Sequence, residues 1–278
     1  MRGLKFLVLF ASLLVPSAPV FARWAGCAAS KGTHSLNVHG NSIKAFPIVG
    51  ASEDDACRLE IRDARGQLKF SRRNFAIQIM RISGADINGD GKPDVAIEAY
   101  SGGAHCCWEY WIVSLTEPPK SLAHIYNERP VMFVRERGRV LLETSDGRFD
   151  YFDGLSHAAS IFPQVFLELK NNTLIDVSAE HWPEYQKEIA RARKLLSASE
   201  LADFKANFVK DSTGRLNPYE DTRSKILSIV LACLYGGKPD EGWKVLEQMW
   251  PPADVRRIRL LILKTQAHGF EKRNPDEQ

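Results

Sequence analysis

Beyond its first two dozen residues the sequence has no long apolar run, no strong excess of either charge and none of the compact motifs of the common hydrolases or nucleotide enzymes. Each absence excludes something. A membrane-crossing helix needs about 20 apolar residues, so no transmembrane span is expected after Ala22. Lys and Arg number 37 against 34 Asp and Glu, a formal charge of +3 that falls to +1 if Arg2 and Lys5 are removed with the first segment. That is too weak a field for nucleic acid. Arg135, Arg137 and Arg139 are interleaved with Glu136, and Arg256, Arg257 and Arg259 lie on an amphipathic pattern, so both clusters read as solvated faces. There is no Gly-x-Ser-x-Gly elbow, His-Glu-x-x-His helix or phosphate loop. His34, His39, His124, His157, His181 and His268 are scattered, and each is expected at the surface or bonded within the core.

What is present begins with Met1 to Ala22, where Arg2 and Lys5 lie at the start of an apolar run over Leu4 to Val15 that is followed by a small-residue exit at Val20-Phe21-Ala22. This is the tripartite pattern of a signal peptide, and the expected location is periplasmic or secreted. Trp24-Ala25-Gly26-Cys27 supports a competing lipoprotein reading through Cys27, weakened by Trp24 and Arg23. All five cysteines follow Ala22. In an oxidising compartment an even subset pairs, so Cys27, Cys57, Cys106 and Cys107 are the disulfide candidates and their connectivity is open. Cys233, embedded in Ile229-Val230-Leu231-Ala232-Cys233-Leu234, is expected to remain a buried thiol.

From about Asn37 to Val177, short apolar runs are broken by Gly, Asn and Asp. Asp63 to Gly66, Arg137-Gly138 and Asn171-Asn172 each separate two such runs and read as hairpin turns. After Ala179 the period changes to helical, with Tyr185, Ile189, Ala192 and Leu196 on one stripe, a capping box at Ser197 to Glu200, and helices from Thr222 to Tyr235, Pro239 to Trp250 and Ala253 to Gln266. The expected class is α+β: signal peptide 1–22, an antiparallel, partly propeller-like β meander over 23–178, an α-helical domain over 179–270 and a charged, disordered tail over 271–278. Leu231-Ala232, Tyr235-Gly236, Pro239 and Trp243 to Leu246 weakly resemble one tetratricopeptide-type helical pair, but only one copy is apparent.

The most informative stretch is Asp86-Ile87-Asn88-Gly89-Asp90-Gly91-Lys92-Pro93-Asp94. With Asp86 as the first position, Asn88, Asp90 and Asp94 fall at the third, fifth and ninth, and Lys92 at the seventh offers its carbonyl. A hard cation taking six to eight oxygens suits that mixture. An EF-hand needs a Glu where this chain has Ile97, and helices where it has strands. The stretch instead resembles the calcium loop of FG-GAP repeats, the integrin-alpha-type propeller repeats. That resemblance covers about Ser83 to Leu115 and implies Ca2+ held by Asp86, Asn88, Asp90, the Lys92 carbonyl and Asp94.

Next comes Ser101-Gly102-Gly103-Ala104-His105-Cys106-Cys107-Trp108. Loop, strand and this run together resemble a group of bacterial envelope proteins with a single such repeat, which implies no reaction. Three consecutive ligands close poorly around a metal, and neighbouring strand residues point to opposite faces, so neither a metal site nor a nucleophile-base pair is favoured there. No catalytic residue is assigned. The expectation is an exported, calcium-binding, disulfide-stabilised binding module, with an envelope protein or glycan as partner. Its alternative is a periplasmic hydrolase or redox protein using His105, Cys106 and Cys107 with Glu98 or Glu109 beside them. Any binding surface is expected next to the loop, around Ser101 to Trp108.

Overall fold

The computed structural model describes residues 27, 32–102, 108–116, 118–127, 129–208 and 219–267. The signal segment 1–22, His105 with Cys106 and Cys107, and the tail 271–278 lie outside them. Twelve strands and then five helices follow one another along the described chain, as the α+β reading expects. Strands β1 (His34–Val38), β2 (Asn41–Pro47), β3 (Cys57–Arg62) and β4 (Leu68–Asn74) form a first sheet in that order. Strands β5 (Ala76–Ile79), β6 (Asp94–Tyr100), β7 (Trp108–Ser114) and β8 (Lys120–Asn127) form a second. Strands β9 (Met132–Glu136), β10 (Arg139–Ser145), β11 (Gln164–Lys170) and β12 (Thr173–Asp176) form a third. Every pairing is antiparallel, and neighbours in sequence are neighbours in each sheet.

Turn chemistry sets the registers. Arg137 and Gly138 both take positive φ (48° and 83°), as do Asn171 and Asn172 (49° and 59°), the geometry of a tight hairpin whose twist matches its strands. Asp63 Oδ1 accepts the amides of Arg65 and Gln67 and so fixes the β3–β4 turn.

The second sheet is covered on both faces. Val95, Ile97, Ala99, Trp111 and Val113 pack with Ile43, Leu59 and Ile61 of the first sheet. Ala96, Tyr110 and Ile112 join the core that holds Val140, Leu142 and Val165 of the third. The Val95 to Tyr100 segment, read from sequence as an alternating strand, is therefore buried at nearly every position. That same core continues without a break into α1 (Trp182–Leu195), α2 (Ala198–Asn207), α3 (Glu220–Tyr235), α4 (Pro239–Met249) and α5 (Val255–Gln266). The capping box is present at the start of α2: Ser197 Oγ accepts the Glu200 amide and Glu200 accepts the Ser197 amide.

Two covalent or ionic ties reinforce this packing. Cys27 pairs with Cys57 across 5.6 Å between Cα atoms, and Cys27 forms a bridge with Ile77, so the disulfide fastens the chain ahead of β1 to the first and second sheets. Cys233 is free and buried, as expected. Further on, the Asp153 carboxylate, 3 % exposed, receives Arg223 Nη2 at 2.5 Å and Arg257 Nη1 at 2.5 Å, and Arg223 is itself only 2 % exposed.

Breaking the disulfide with Cys57→Ser should cost about 3 to 4 kcal/mol, from the entropy of a loop of about 30 residues, read as a lower urea midpoint. Asp153→Ala leaves a buried guanidinium without its carboxylate and should cost about 3 to 5 kcal/mol in the same assay.

Candidate functional site

The Asp-rich loop joins β5 to β6, and hydrogen bonds tie its ends together. Gly84 donates to the Asp94 carbonyl (2.7 Å) and the Asp94 amide donates to the Ala85 carbonyl (2.8 Å). Ser83 Oγ both donates to and accepts from the backbone of Ala96 (3.1 Å each). Within that frame Asp86 curls the chain: Oδ1 accepts the amides of Gly89 (2.7 Å) and Asp90 (3.0 Å), and Oδ2 that of Gly91 (2.7 Å). Gly89 and Gly91 both sit at φ +80°, where a side chain is strained. Asn88 Oδ1 accepts the Asp90 amide (3.2 Å), and Asp90 Oδ1 accepts the Lys92 amide (2.9 Å).

The loop is anchored to all three sheets. Ile87 is buried in the core shared with the third sheet. Asn88 Nδ2 donates to Asn172 Oδ1 in the β11–β12 turn (3.1 Å). On the other side Leu115 donates to the Pro93 carbonyl (2.9 Å), and its own carbonyl accepts Asn41 Nδ2 from the first sheet (3.0 Å).

Asp94 is the unusual member. It is fully buried, its Oδ2 accepts the Ile87 amide (2.8 Å), and its Oδ1 has no hydrogen-bond donor. Burial pushes its carboxyl up to about 6, the Asp90 and Asp86 charges push the same way, and the Ile87 and Asn88 amides oppose them. A buried carboxylate oxygen without a partner is expensive. Among the described residues no three or more His, Cys, Asp or Glu side chains converge to hold a metal. That holds for Asp86, Asp90 and Asp94 of the loop as well. By type, the loop's three carboxylates, one amide oxygen and one carbonyl are hard oxygens without sulfur or imidazole, the donors that calcium or a similar ion takes.

Beside the loop lies a recess of about 220 Å³ walled by Asp86 and Gly89 on one side and by Arg135, Arg139 and Glu168 of the third sheet on the other. Arg139 is engaged by Glu168 (3.0 Å) and Glu180 (2.6 Å). Arg135 and Arg139 read from sequence as part of a solvated cluster, and nothing local marks their approach to Asp86 across about 50 residues of chain and three strands.

The described residues of the Ser101 to Trp108 segment, Ser101, Gly102 and Trp108, do not lie next to the loop. Asp94 opens β6 and Tyr100 closes it, so the two features sit at opposite ends of a seven-residue strand, about 20 Å apart at the usual rise. At that far end the Tyr100 ring lies tilted by 34° against Trp108 (4.8 Å between centroids) and edge-on to Phe75 (6.4 Å). Glu98 and Glu109, the helpers of the catalytic alternative, fall on opposite faces of the second sheet. Glu98 accepts Tyr110 Oη (2.5 Å) and Gln78 Nε2 (2.6 Å), with burial holding its carboxyl above the usual range. Glu109 pairs with His124 (3.1 Å), whose ring lies flat on Trp111 at 5.0 Å. His105, Cys106 and Cys107 themselves lie outside the described residues.

The chain matches no protein-family model, and no curated protein or solved structure is significantly similar to it. The site therefore stands on its own chemistry.

The Asp94 carboxyl is held above its ordinary 3.8, so in chelator its ionisation costs stability as pH rises through about 6. Asp94→Asn removes that cost. In chelator at about pH 7 the variant should be more stable by something of the order of 2 to 3 kcal/mol, and the gain should vanish near pH 4. Urea midpoints measured at both pH values check the sign.

Proposed function

We propose that this is an exported, disulfide-stabilised envelope protein whose single FG-GAP-type loop binds calcium, and that it works as a non-enzymatic binding module for an envelope protein or glycan. The observation that carries the calcium reading is the buried Asp94 Oδ1 without a donor at the mouth of an oxygen-rich loop. Asp86, Asn88, Asp90, Asp94 and the Lys92 carbonyl would hold the ion. Its positive charge would offset the burial of Asp94 and the mutual repulsion of Asp86, Asp90 and Asp94.

The loop's anchors give that binding a structural consequence. Because Ile87 and Asn88 reach the third sheet, and Pro93 reaches Leu115, which bonds Asn41 of the first, fixing the loop would fix the end at which the three sheets meet. The paired Cys27 and Cys57 suit an oxidising compartment, which supports export. Among the described residues no helix is long and apolar enough to cross a membrane. Among the described residues Glu98, Glu109 and His124 of the second sheet are committed to Tyr110, Gln78 and one another, which favours a binding role over catalysis.

A ligand present at about a hundred times its Kd stabilises the folded chain by about 2.7 kcal/mol. For a chain of this size that is roughly 5 to 10 °C in Tm. Calcium should produce a shift of that order, chelator should reverse it, and Asp90→Ala in calcium should melt near the chelated wild type. A wild-type Tm that ignores chelator would remove the calcium reading.

A further inference from the structure

We propose that the groove between α1 and α4 is a docking site for an acidic amphipathic helix of a partner protein. The proposal rests on the binding-module reading but uses no residue of the calcium loop. Both α1 and α4 pack along α3 without packing extensively on each other, and the gap between them is a groove of about 550 Å³. Trp182, Ile189 and Ala190 form one wall at helical spacing, Val245 faces them from α4, and the Cys233 side chain lies at the floor.

The two walls run parallel. The Trp182 ring closes on Gly236, where an added Cβ would come within 2.5 Å of it, and Lys238 Nζ lies 5.9 Å from the same ring. The start of α1 therefore lies beside the start of α4, and both run antiparallel to α3. At about 1.5 Å per residue, 14-residue α1 makes a trough roughly 20 Å long, which three to four helical turns would fill. An occupant of that shape would complete a four-helix arrangement by the helix-in-groove mode.

Charge selects the occupant. Arg193 stands on the α1 rim and Lys244 on the α4 rim, both exposed, and neither has a carboxylate partner among the described residues. Glu241 is confined to the first turn of α4, at the Trp182 end. An incoming helix is therefore favoured with Leu-type residues on one stripe and acidic residues flanking it toward the Arg193 end. Leu260 and Leu263 on α5 are also exposed but lie in no groove that would seat a helix.

The test is fluorescence polarisation of the mature chain with a labelled synthetic helix of about 16 residues carrying a Leu stripe flanked by Glu, in calcium and in chelator. Saturable binding is expected. It should weaken at least roughly tenfold in the double variant Arg193→Glu, Lys244→Glu and in Ala190→Trp, which fills the trough, while Tm is unchanged because all three positions are exposed. A peptide with Lys in place of Glu should bind wild type roughly tenfold more weakly and recover on the double variant. The proposal is overturned by absence of saturable binding, by equal binding of the two peptides, or by indifference to the charge reversal. It is also overturned if Ala190→Trp converts a dimer to a monomer, which assigns the groove to a second copy, or if a chain ending at Ala267 binds the peptide more tightly, which assigns it to the chain's own tail. Loss of calcium stabilisation with peptide binding intact would sink only the calcium reading.

Discussion

Burial of the second sheet on both faces is the constraint from which most of the structure follows. A sheet with one wet face accommodates polar residues at every other position, whereas this one must pair each of them. Glu98 is tolerated because Gln78 and Tyr110 hold it, and Tyr110 Oη also accepts the Val131 amide (2.8 Å), which carries the bonded chain into the segment leading to the third sheet. Glu109 is tolerated on the opposite face because His124 holds it while lying flat against Trp111. With both faces occupied, the sheet meets solvent at its ends and along its edge strands β5 and β8. One end carries the Asp-rich loop, and the other carries the Phe75, Tyr100 and Trp108 rings.

A second constraint comes from the long connection between β10 and β11, which must seal the third sheet against the helices. It does so with carboxylates. Asp146, almost fully buried, receives Arg148 and the Tyr235 hydroxyl. Asp153 receives Arg223 and Arg257. Tyr151 and Asp153 both take left-handed backbone conformations (φ 52° each), a cost of order 1 to 3 kcal/mol per residue that the surrounding contacts must offset. The geometry turns Asp153 toward two helices at once. The β half and the helical half are thus joined by fixed ion pairs as well as by a continuous apolar core.

Local chemistry was legible in the sequence, and distant partnership was not. The turns at Arg137-Gly138 and Asn171-Asn172, the capping box at Ser197 and Pro239 at the start of α4 are each decided by residues within four positions of one another, and each was readable. The solitary Cys233 was readable too, because an apolar run around a thiol implies burial. Burial of β6 on both faces was not, since nothing in Val95 to Tyr100 states how many sheets will cover it. Asp153 lies 70 residues from Arg223 and 104 from Arg257, so their partnership existed only once the fold had formed. The tight curl of the Asp86 to Asp94 loop was legible from its glycines, whereas the role of Ile87 as an anchor was hidden there. The distance between the loop and Ser101 was also misjudged, because adjacency in sequence across one strand becomes separation across a whole sheet.

Those anchors decide what an ion at the loop could accomplish. Asp86 already holds three backbone amides, so the curl of the chain exists without help. What is unbalanced is Asp94, at the root of β6 where the loop meets the sheet. Its neighbours reach the first sheet through Leu115 and Asn41, and the third through Ile87 and Asn88. A charge placed there acts on a junction of three layers rather than on a free loop. A propeller with many blades gains rigidity from closure, whereas three stacked meanders have no ring to close. For such an open stack the disulfide ties the first sheet to the second, and the ion proposed for the loop would act where all three layers come together.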